Sequence, residues 1–116
     1  MSSQDVVADA ATPETEETGA LLDALTSPRR RHLIHALSAQ PGPVAVGELA
    51  EEIHRREAEA GETTHPDQIA ISLHHLHLPK LAAREFLEYN PSRKEVTPTY
   101  GTDEASYALV SAGFAE

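Results

Sequence analysis

The chain has 116 residues, a formal net charge of -10 at pH 7 and no cysteine. The length fits one domain, and the lack of cysteine excludes disulfides and thiolate metal sites. No apolar run approaches the roughly 18 residues that a membrane span needs, and the first residues lack the basic and apolar segments of a signal peptide. We therefore expect a cytoplasmic protein without a membrane partner.

The charged residues are unevenly distributed along the chain. The acids concentrate in the N-terminal stretch and in residues 47–62, whereas most cations lie at positions 29–31, 84, 93 and 94. A phosphate backbone repels an acidic protein, so the overall charge argues against DNA unless the DNA-facing surface differs from the rest. Arginines outnumber lysines by seven to two. An acid excess with few lysines is typical of proteins that stay dissolved in molar salt. An ordinary acidic cytosolic protein is the alternative interpretation.

The N-terminal stretch differs in composition from the remainder. Residues 1–18 contain acids, no base and no apolar periodicity, which predicts a disordered acidic tail followed by one domain over residues 19–116. A domain of this size buries only a small core, so its stability as a monomer is marginal, and small domains are often stabilised by dimerisation. Apolar residues at 21–25, where a short helix is expected, and at 103–114 predict the interface of a homodimer.

The first long helical pattern follows a clear start signal. Ser27 is a suitable cap, and Pro28 occupies the first helical position, where a missing N–H has no cost. The motif "PGP" at 41–43 ends the helix, and "VAV" at 44–46 predicts an edge strand. The residues expected to enter the core are Leu33, Ile34 and Leu37.

Two further helices are expected before residue 85. The first, "VGELAEEIHRREAEAGE", turns Leu49, Ala50 and Ile53 inward and ends at Gly61. The second, "PDQIAISLHHLHLPKLAAR", begins at Pro66. Pro79 should kink or break it near residues 76–78, because proline removes one backbone hydrogen bond. Its two apolar stripes are Ile69, Leu73 and Leu76, and Ile71, Leu78 and Leu81.

The C-terminal third alternates between strand and helix signals. Residues 85–90 and 94–98 read as two strands joined by the turn "NPSR". A last helix is expected to start with Thr102 or Asp103 as its cap. Its apolar residues are Tyr107, Leu109, Val110 and Phe114.

The predicted order is helix, helix, strand, helix, helix and a hairpin with a basic tip. This is the element order of a winged helix-turn-helix. We therefore expect a mainly α (α+β) fold, a winged helix-turn-helix with a two-stranded β-hairpin wing.

Two stretches resemble known families. "LLDALTSPRRRHLIHAL" is similar to the opening of ArsR-type winged-helix regulators. "IAISLHHLHLPKLAAREFLEYN" resembles a haloarchaeal family of small winged-helix domains of unknown function, whose signature runs "LHHxHLPKLADAG" into a strand. The resemblance covers about residues 20 to 99. It implies a winged-helix fold and a halophilic archaeal origin.

The sequence departs from this family at the end of the signature. Arg84 and Glu85 stand where the family has a small residue and a glycine, which permits a positive φ at a helix C-terminus. Metal-sensing ArsR members use cysteine pairs or carboxylate–histidine sets. This chain has no cysteine, so the sensing function does not carry over.

The histidines of "LHHLHLPKL" admit three interpretations. His74 and His77 share a helix face and are suitable ligands for zinc or nickel, but His75 points about 100° away, and we predict no metal site. A second interpretation is that His74 and His77 pack structurally and cap backbone groups near Pro79. The third is that the exposed face, with Gln68, Ser72 and His75, reads DNA bases.

The basic residues also admit two interpretations. Arginines at a helix N-terminus oppose the helix dipole. Arg29 and Arg30 are therefore expected either to contact phosphate or to pair with the acidic helix. Arg93 and Lys94 are ordinary turn residues, or wing-tip contacts to the DNA backbone.

No catalytic constellation or cofactor motif appears, so we expect neither an enzyme nor a bound cofactor. The favoured hypothesis is a homodimeric DNA-binding transcriptional regulator with double-stranded DNA as partner. Its recognition helix would span about 66–78 and its wing about 86–98. The alternative is a winged-helix protein–protein interaction module that does not bind DNA.

Overall fold

The computed structural model describes residues 26–114, which are mostly helical and include one antiparallel sheet. The predicted acidic tail and the short helix at 21–25 lie outside these residues. No helix within the described range has the length and apolarity needed to cross a membrane. The elements in chain order are α1 (Pro28–Ser38), β1 (Val44–Ala45), α2 (Val46–Glu59), α3 (Pro66–Ser72), a π-helical turn (Leu73–His77), α4 (Leu78–Ala83), β2 (Leu87–Asn90), β3 (Glu95–Pro98) and α5 (Tyr100–Ser111).

The sheet joins the predicted hairpin to the predicted edge strand. Its strand order is β1–β3–β2, and both pairings are antiparallel. Val44 pairs with Val96, so the short strand after α1 lies against the returning strand of the hairpin. The first hairpin strand begins at Leu87, two residues later than predicted, because residues 84–86 form the turn out of α4.

One apolar core holds the helices to the sheet. Helix α5 is attached through a smaller cluster formed by Ile34, Ala105 and Leu109, against which Phe86 packs. Apolar helix faces of this kind are buried because removing them from water is the main favourable term in folding. The main core contains Leu33, Ala36, Leu37, Val44, Val46, Leu49, Ala50, Ile53, Ile69, Leu73, Leu78, Leu81, Leu87 and Val96.

The predicted helix that begins at Pro66 does not break at Pro79. Instead it contains a π-helical turn, which is wider than an α-helical one, just before the proline. The backbone N–H of Leu78 donates to the carbonyl of Leu73, five residues back, and the backbone stays helical on both sides of the turn. In a regular α-helix the ring of Pro79 would clash with the carbonyl four residues before it. A π turn moves that carbonyl away from the ring, so the predicted distortion takes this form.

The π turn also shifts the buried stripe. Ile69 and Leu73 face the core as predicted, but Leu76 is 49% exposed, and His77 and Leu78 take the inward positions that follow. The placement of Leu76 in the core stripe is therefore wrong, because one extra residue in the turn rotates everything after it. Ile71, assigned to the second stripe, is also exposed, at 59%.

Helix α4 ends in the left-handed turn that glycine would favour. Glu85 has a φ of 64°, the N–H of Phe86 donates to the carbonyl of Leu81, and the N–H of Glu85 donates to that of Ala82. This pair of bonds defines a Schellman motif. Gly61 ends α2 in the same way, as predicted, with a φ of 92°. Glutamate replaces glycine at the second site without changing the turn.

Helix α5 begins three residues earlier than predicted. Its cap is Thr99, whose hydroxyl accepts a hydrogen bond from the N–H of Gly101, while the hydroxyl of Thr102 accepts one from the N–H of Thr99. The assignment of Thr102 or Asp103 as the cap is wrong, because a threonine three residues further upstream supplies a capping box. This start places Gly101 directly against the carbonyl group of Glu85.

We expect Gly101→Ala to lower the free energy of unfolding by about 1–3 kcal/mol, as overpacking of a close contact does. A Cβ atom at this position would lie 2.2 Å from the carbonyl oxygen of Glu85, a backbone atom that cannot rotate away. The matched control is Gly47→Ala in α2, where a Cβ meets nothing within 4 Å and should stabilise the helix slightly. Urea denaturation of both variants measures the difference. Equal changes in the free energy of unfolding would show that Gly101 in α5 does not pack closely against the carbonyl of Glu85.

Candidate nucleic-acid interface

One face of helix α3 and the following π turn points into solvent. Gln68, Ile71 and His75 are exposed on it, and their spacing of three and four residues places them on the same side of the helix. Within residues 26–114 no element covers these side chains, because Ile69 and Leu73 on the opposite side make the contacts with the core. Gln68 and His75 thus lie on one accessible surface, as the DNA-reading hypothesis requires.

Ser72 does not present its hydroxyl to solvent in the same way. Its Oγ donates to the carbonyl of Ile69 over 3.0 Å and accepts a hydrogen bond from Nη1 of Arg29 over 3.1 Å. The hydroxyl proton is therefore used inside the fold. Ser72 joins α3 to α1 instead of completing the outward face.

Arg29 forms the principal ionic contact of the structure. Its Nε and Nη2 atoms lie 2.7 Å and 3.0 Å from the two carboxylate oxygens of Glu57, a bidentate arrangement, and Glu57 is buried. Two parallel hydrogen bonds between ionised groups are among the strongest polar contacts in proteins. For Arg29, the interpretation as a partner of the acidic helix is the one that matches the geometry.

Arg30 turns inward from the same helix start. Only 8% of its surface is exposed, and its Nε donates to Nδ1 of His77 over 3.0 Å. The third arginine, Arg31, places its guanidinium carbon 4.3 Å from the centre of the Phe114 ring. The arginines at the start of α1 are thus engaged with other parts of the protein. The sequence offers the acidic helix as one possible partner, but it does not indicate His77 or Phe114.

His77 is neutral in the folded protein. Burial, followed by the positive charge of Arg30, lowers its pKa from the ordinary value of 6.5 to about 4. Because Nδ1 accepts from Arg30, the single ring proton lies on Nε2. His77 is a structural residue of the core boundary, as the packing interpretation proposed. Its partner is a side chain and not a backbone group near Pro79.

The other histidines of the motif have different surroundings. His74 forms a hydrogen bond between Nδ1 and the hydroxyl of Tyr89 on β2, and the two rings meet edge to face. Burial raises the pKa of Tyr89. His75 stacks edge to face on His74 and is exposed. Of the three histidines of the motif, one is exposed and two hold the helix to its neighbours.

The histidines outside the motif do not join it. His54 donates from Nδ1 to the carbonyl of Thr64 over 2.9 Å, and His65 caps α3 by accepting from the N–H of Asp67. Across residues 26–114 no three histidine, aspartate or glutamate side chains are grouped so that they would hold a metal ion.

The hairpin tip presents two cations. Arg93 lies on the loop, where its N–H donates to Oδ1 of Asn90 over 3.1 Å and its Nε lies 3.4 Å from Oε1 of Glu95. Lys94 follows with a φ of 52° and is exposed. The tip is accessible, and only Arg93 shares its charge with a neighbouring carboxylate.

The segment that carries the outward face differs in net charge from the chain as a whole. Residues 63–84 contain two cations and one acid, a net charge of +1, so the remainder carries -11. Lys80 and Arg84, the two cations, form no salt bridge within the described part of the chain. By contrast Arg55 and Arg56 pair with Glu52 on the acidic helix. The outward face therefore lies on a segment that is not acidic overall.

The chain belongs to the family described as "Domain of unknown function (DUF7344)", whose model matches residues 22–97. The match covers α1 to α4, the histidine motif and the hairpin as far as Thr97, and it ends before α5. No curated protein matches the chain. No solved structure matches it either.

We expect the stability of the protein to fall as the pH falls from about 6.5 towards 4. In this window the unfolded chain binds a proton at His77 that the folded protein does not, so the slope is at most about 1.4 kcal/mol per pH unit from this group. The contribution is lost in His77→Gln, whose amide oxygen still accepts from Arg30. Denaturation curves of both proteins across this pH range measure it.

The control for this experiment is His75→Gln, which changes an exposed histidine of the same motif. It should keep the pH dependence of the unmodified protein. Parallel curves for the unmodified protein and His77→Gln would show that His77 is not held neutral by the fold.

Proposed function

We propose that this protein is a DNA-binding transcriptional regulator with a winged helix-turn-helix fold. Helix α3 and the π turn, about residues 66–78, are its recognition helix, and the hairpin at about 86–98 is its wing. The observation that carries the proposal is the uncovered face of Gln68, Ile71 and His75, which lies on a segment, residues 63–84, with a net charge of +1.

The arrangement of elements supports this assignment. A helix, a short strand, two helices and a hairpin follow one another, and the short strand pairs with the second hairpin strand. This is the order of a winged helix, in which the second helix of the pair enters the major groove. The pairing leaves the tip of the hairpin, with Arg93 and Lys94, free to reach a phosphate backbone.

Gln68 is the candidate for direct base recognition. It lies in the first turn of α3, and the N-terminal residues of a recognition helix are those that contact base edges. A glutamine side chain forms two hydrogen bonds with adenine in the major groove. His75, two turns later on the same face, is placed to contact a base or a phosphate.

Arg29, Arg30 and Ser72 act in this proposal as positioning residues. The salt bridge from Arg29 to Glu57 ties α1 to α2, and the bond from Arg29 to Ser72 adds α3. Arg30 fixes the π turn through His77. These bonds hold the recognition helix from behind, so its outward side chains keep a defined orientation.

We further propose that the protein is halophilic and binds DNA without relying on phosphate attraction. Each neutralised phosphate contributes a slope of about -0.9 to the logarithmic salt dependence of binding. With about six contacts, raising the salt from about 0.15 M to about 3 M would lower the affinity by roughly seven decades. Base-edge hydrogen bonds, apolar contacts and DNA shape therefore provide the affinity.

A protein–protein interaction module is the second candidate. The observation in its favour is the outer face of α5, where Tyr107 is 77% and Val110 50% exposed, with Tyr100 on the same side. We propose that in the regulator this face serves a homodimer. A twofold pair of recognition helices would then meet two half-sites of one operator.

We expect Gln68→Ala to weaken binding to the preferred DNA site 10- to 100-fold in about 2–3 M potassium chloride, since a bidentate base contact contributes about 1–3 kcal/mol of discrimination. Arg93→Ala should have only a modest effect there, because the phosphate contribution is screened. Fluorescence anisotropy with duplexes selected from a random pool measures both.

The matched control is Gln40→Ala, the same change after α1 and away from the recognition helix. It should bind as the unmodified protein does. If Arg93→Ala is severe and Gln68→Ala is silent, the helix is not the reader and the wing is the main contact.

We expect the protein to be a dimer at tens of micromolar in molar potassium chloride, and Tyr107→Glu to be a monomer that remains folded. The substitution places a charge on the exposed face of α5 without touching the core residue Leu109. Light scattering gives the mass of each, with Glu51→Gln on α2 as a surface control. A monomeric unmodified protein would contradict the dimer.

A further inference from the structure

Ile71 is an exposed apolar side chain on the face proposed to read DNA. It is 59% exposed although it lies between the buried residues Ile69 and Leu73. The core beneath it is closed without it, since both neighbours are fully buried. The core is therefore complete without Ile71, and no core contact is missing because this side chain faces solvent.

The position of Ile71 relative to Gln68 defines what it would meet in the major groove. The two residues are three apart in α3, about 4.5 Å along the helix axis and on adjoining parts of one face. This distance is close to the base-pair step of about 3.4 Å. A base edge next to the one that Gln68 contacts is therefore within reach of Ile71.

The chemistry of the groove then limits the ligand of Ile71. The only apolar group that a base pair displays in the major groove is the C5-methyl of thymine. Isoleucine is also branched at Cβ, so in a helix it has one strongly preferred side-chain rotamer and presents its methyl groups in a fixed place. The apolar surface of Ile71 therefore favours a base pair that presents a methyl group and disfavours one that presents only hydrogen-bonding groups.

We propose that Ile71 is a specificity-determining residue that packs on the C5-methyl group of a thymine, at the base pair read by Gln68 or at its neighbour. The preferred site of this protein would therefore contain an adenine for Gln68 and a thymine for Ile71 within two adjacent base pairs. This inference rests on the proposed function and states the class of DNA sequence that the helix takes.

The charge of this segment is compatible with DNA as the occupant of this face. Residues 63–84 carry a net charge of +1, whereas the remainder of the chain carries -11. Lys80 and Arg84 lie on the same segment and are exposed. A duplex approaching this side therefore meets a segment that does not repel it through net negative charge.

The test uses the full chain and begins with selection of a preferred duplex from a random pool in molar potassium chloride. Each thymine of the selected site is then replaced in turn by deoxyuridine, which lacks only the C5-methyl group. At one position the replacement should weaken binding about fourfold, the factor that corresponds to about 0.8 kcal/mol for one buried methyl group. Ile71→Ala should be insensitive to that replacement.

Leu76→Ala is the matched control. Leu76 is 49% exposed on the same helix, but it is five residues further on and well around the helix from Ile71. This variant should keep the full deoxyuridine penalty. Because both substitutions remove exposed apolar groups, a difference between them cannot be attributed to general loss of stability.

The outcomes separate the two proposals. A selected site whose binding responds to no deoxyuridine replacement, or responds equally in Ile71→Ala, overturns the role of Ile71 while the DNA-binding function stands. If no duplex is selected and the protein does not bind DNA at low or high salt, the proposed function fails and this inference fails with it.

Discussion

The contact between Arg29 and Glu57 is the constraint on which the candidate interface depends. One guanidinium group joins three helices, because it holds both oxygens of a buried carboxylate on α2 and the hydroxyl of Ser72 on α3. Removing one partner of such a pair leaves a buried charge without compensation, which costs about 3–5 kcal/mol, although the intact pair itself contributes less. Its main effect is therefore geometric: it fixes how α3 sits across α1 and α2.

The π turn also determines which side chains of this helix face the core and which face solvent. Pro79 requires a distortion, and the wider turn at residues 73–77 absorbs it by adding one residue to the inward stripe. The extra residue brings His77 under Arg30 and leaves Leu76 outside. The proline, which looks like an interruption in the sequence, thus aligns one buried contact and leaves one apolar side chain, Leu76, exposed.

Much of the fold is predictable from the sequence because its signals are local. Ser27 and Pro28 start α1, Gly61 ends α2, and the turn residues at 91–94 join β2 to β3. The start of α5 is harder to predict, because two threonines three residues apart, Thr99 and Thr102, both suit a cap. The outward position of Leu76 was missed because helical periodicity assumes 3.6 residues per turn, and a π turn breaks that assumption.

The interface was only partly predictable because it depends on contacts between distant parts of the chain. Gln68 and His75 lie on the expected surface, which follows from spacing along one helix. The partners of Arg29 and Arg30 lie 28 and 47 residues away. The acidic helix is one of two partners that the sequence offers for these arginines, but nothing local to "RRR" decides between it and phosphate or indicates His77. A basic triplet at a helix start predicts charge but not whether the charge faces DNA or the protein interior.

The central claim is that the outward face of the 66–78 helix contacts DNA while the arginines behind it keep their internal partners. The most direct test is a titration of the ¹⁵N-labelled protein with a selected duplex, followed through backbone amides, glutamine side chains and arginine Nε–H groups. We expect signals from residues 67–76 and 91–95 and from the Gln68 amide to move, while the Nε–H signals of Arg29 and Arg30 and the amides of α5 stay in place. Shifts confined to α5, or displacement of the Arg29 signal with Gln68 unchanged, would contradict it.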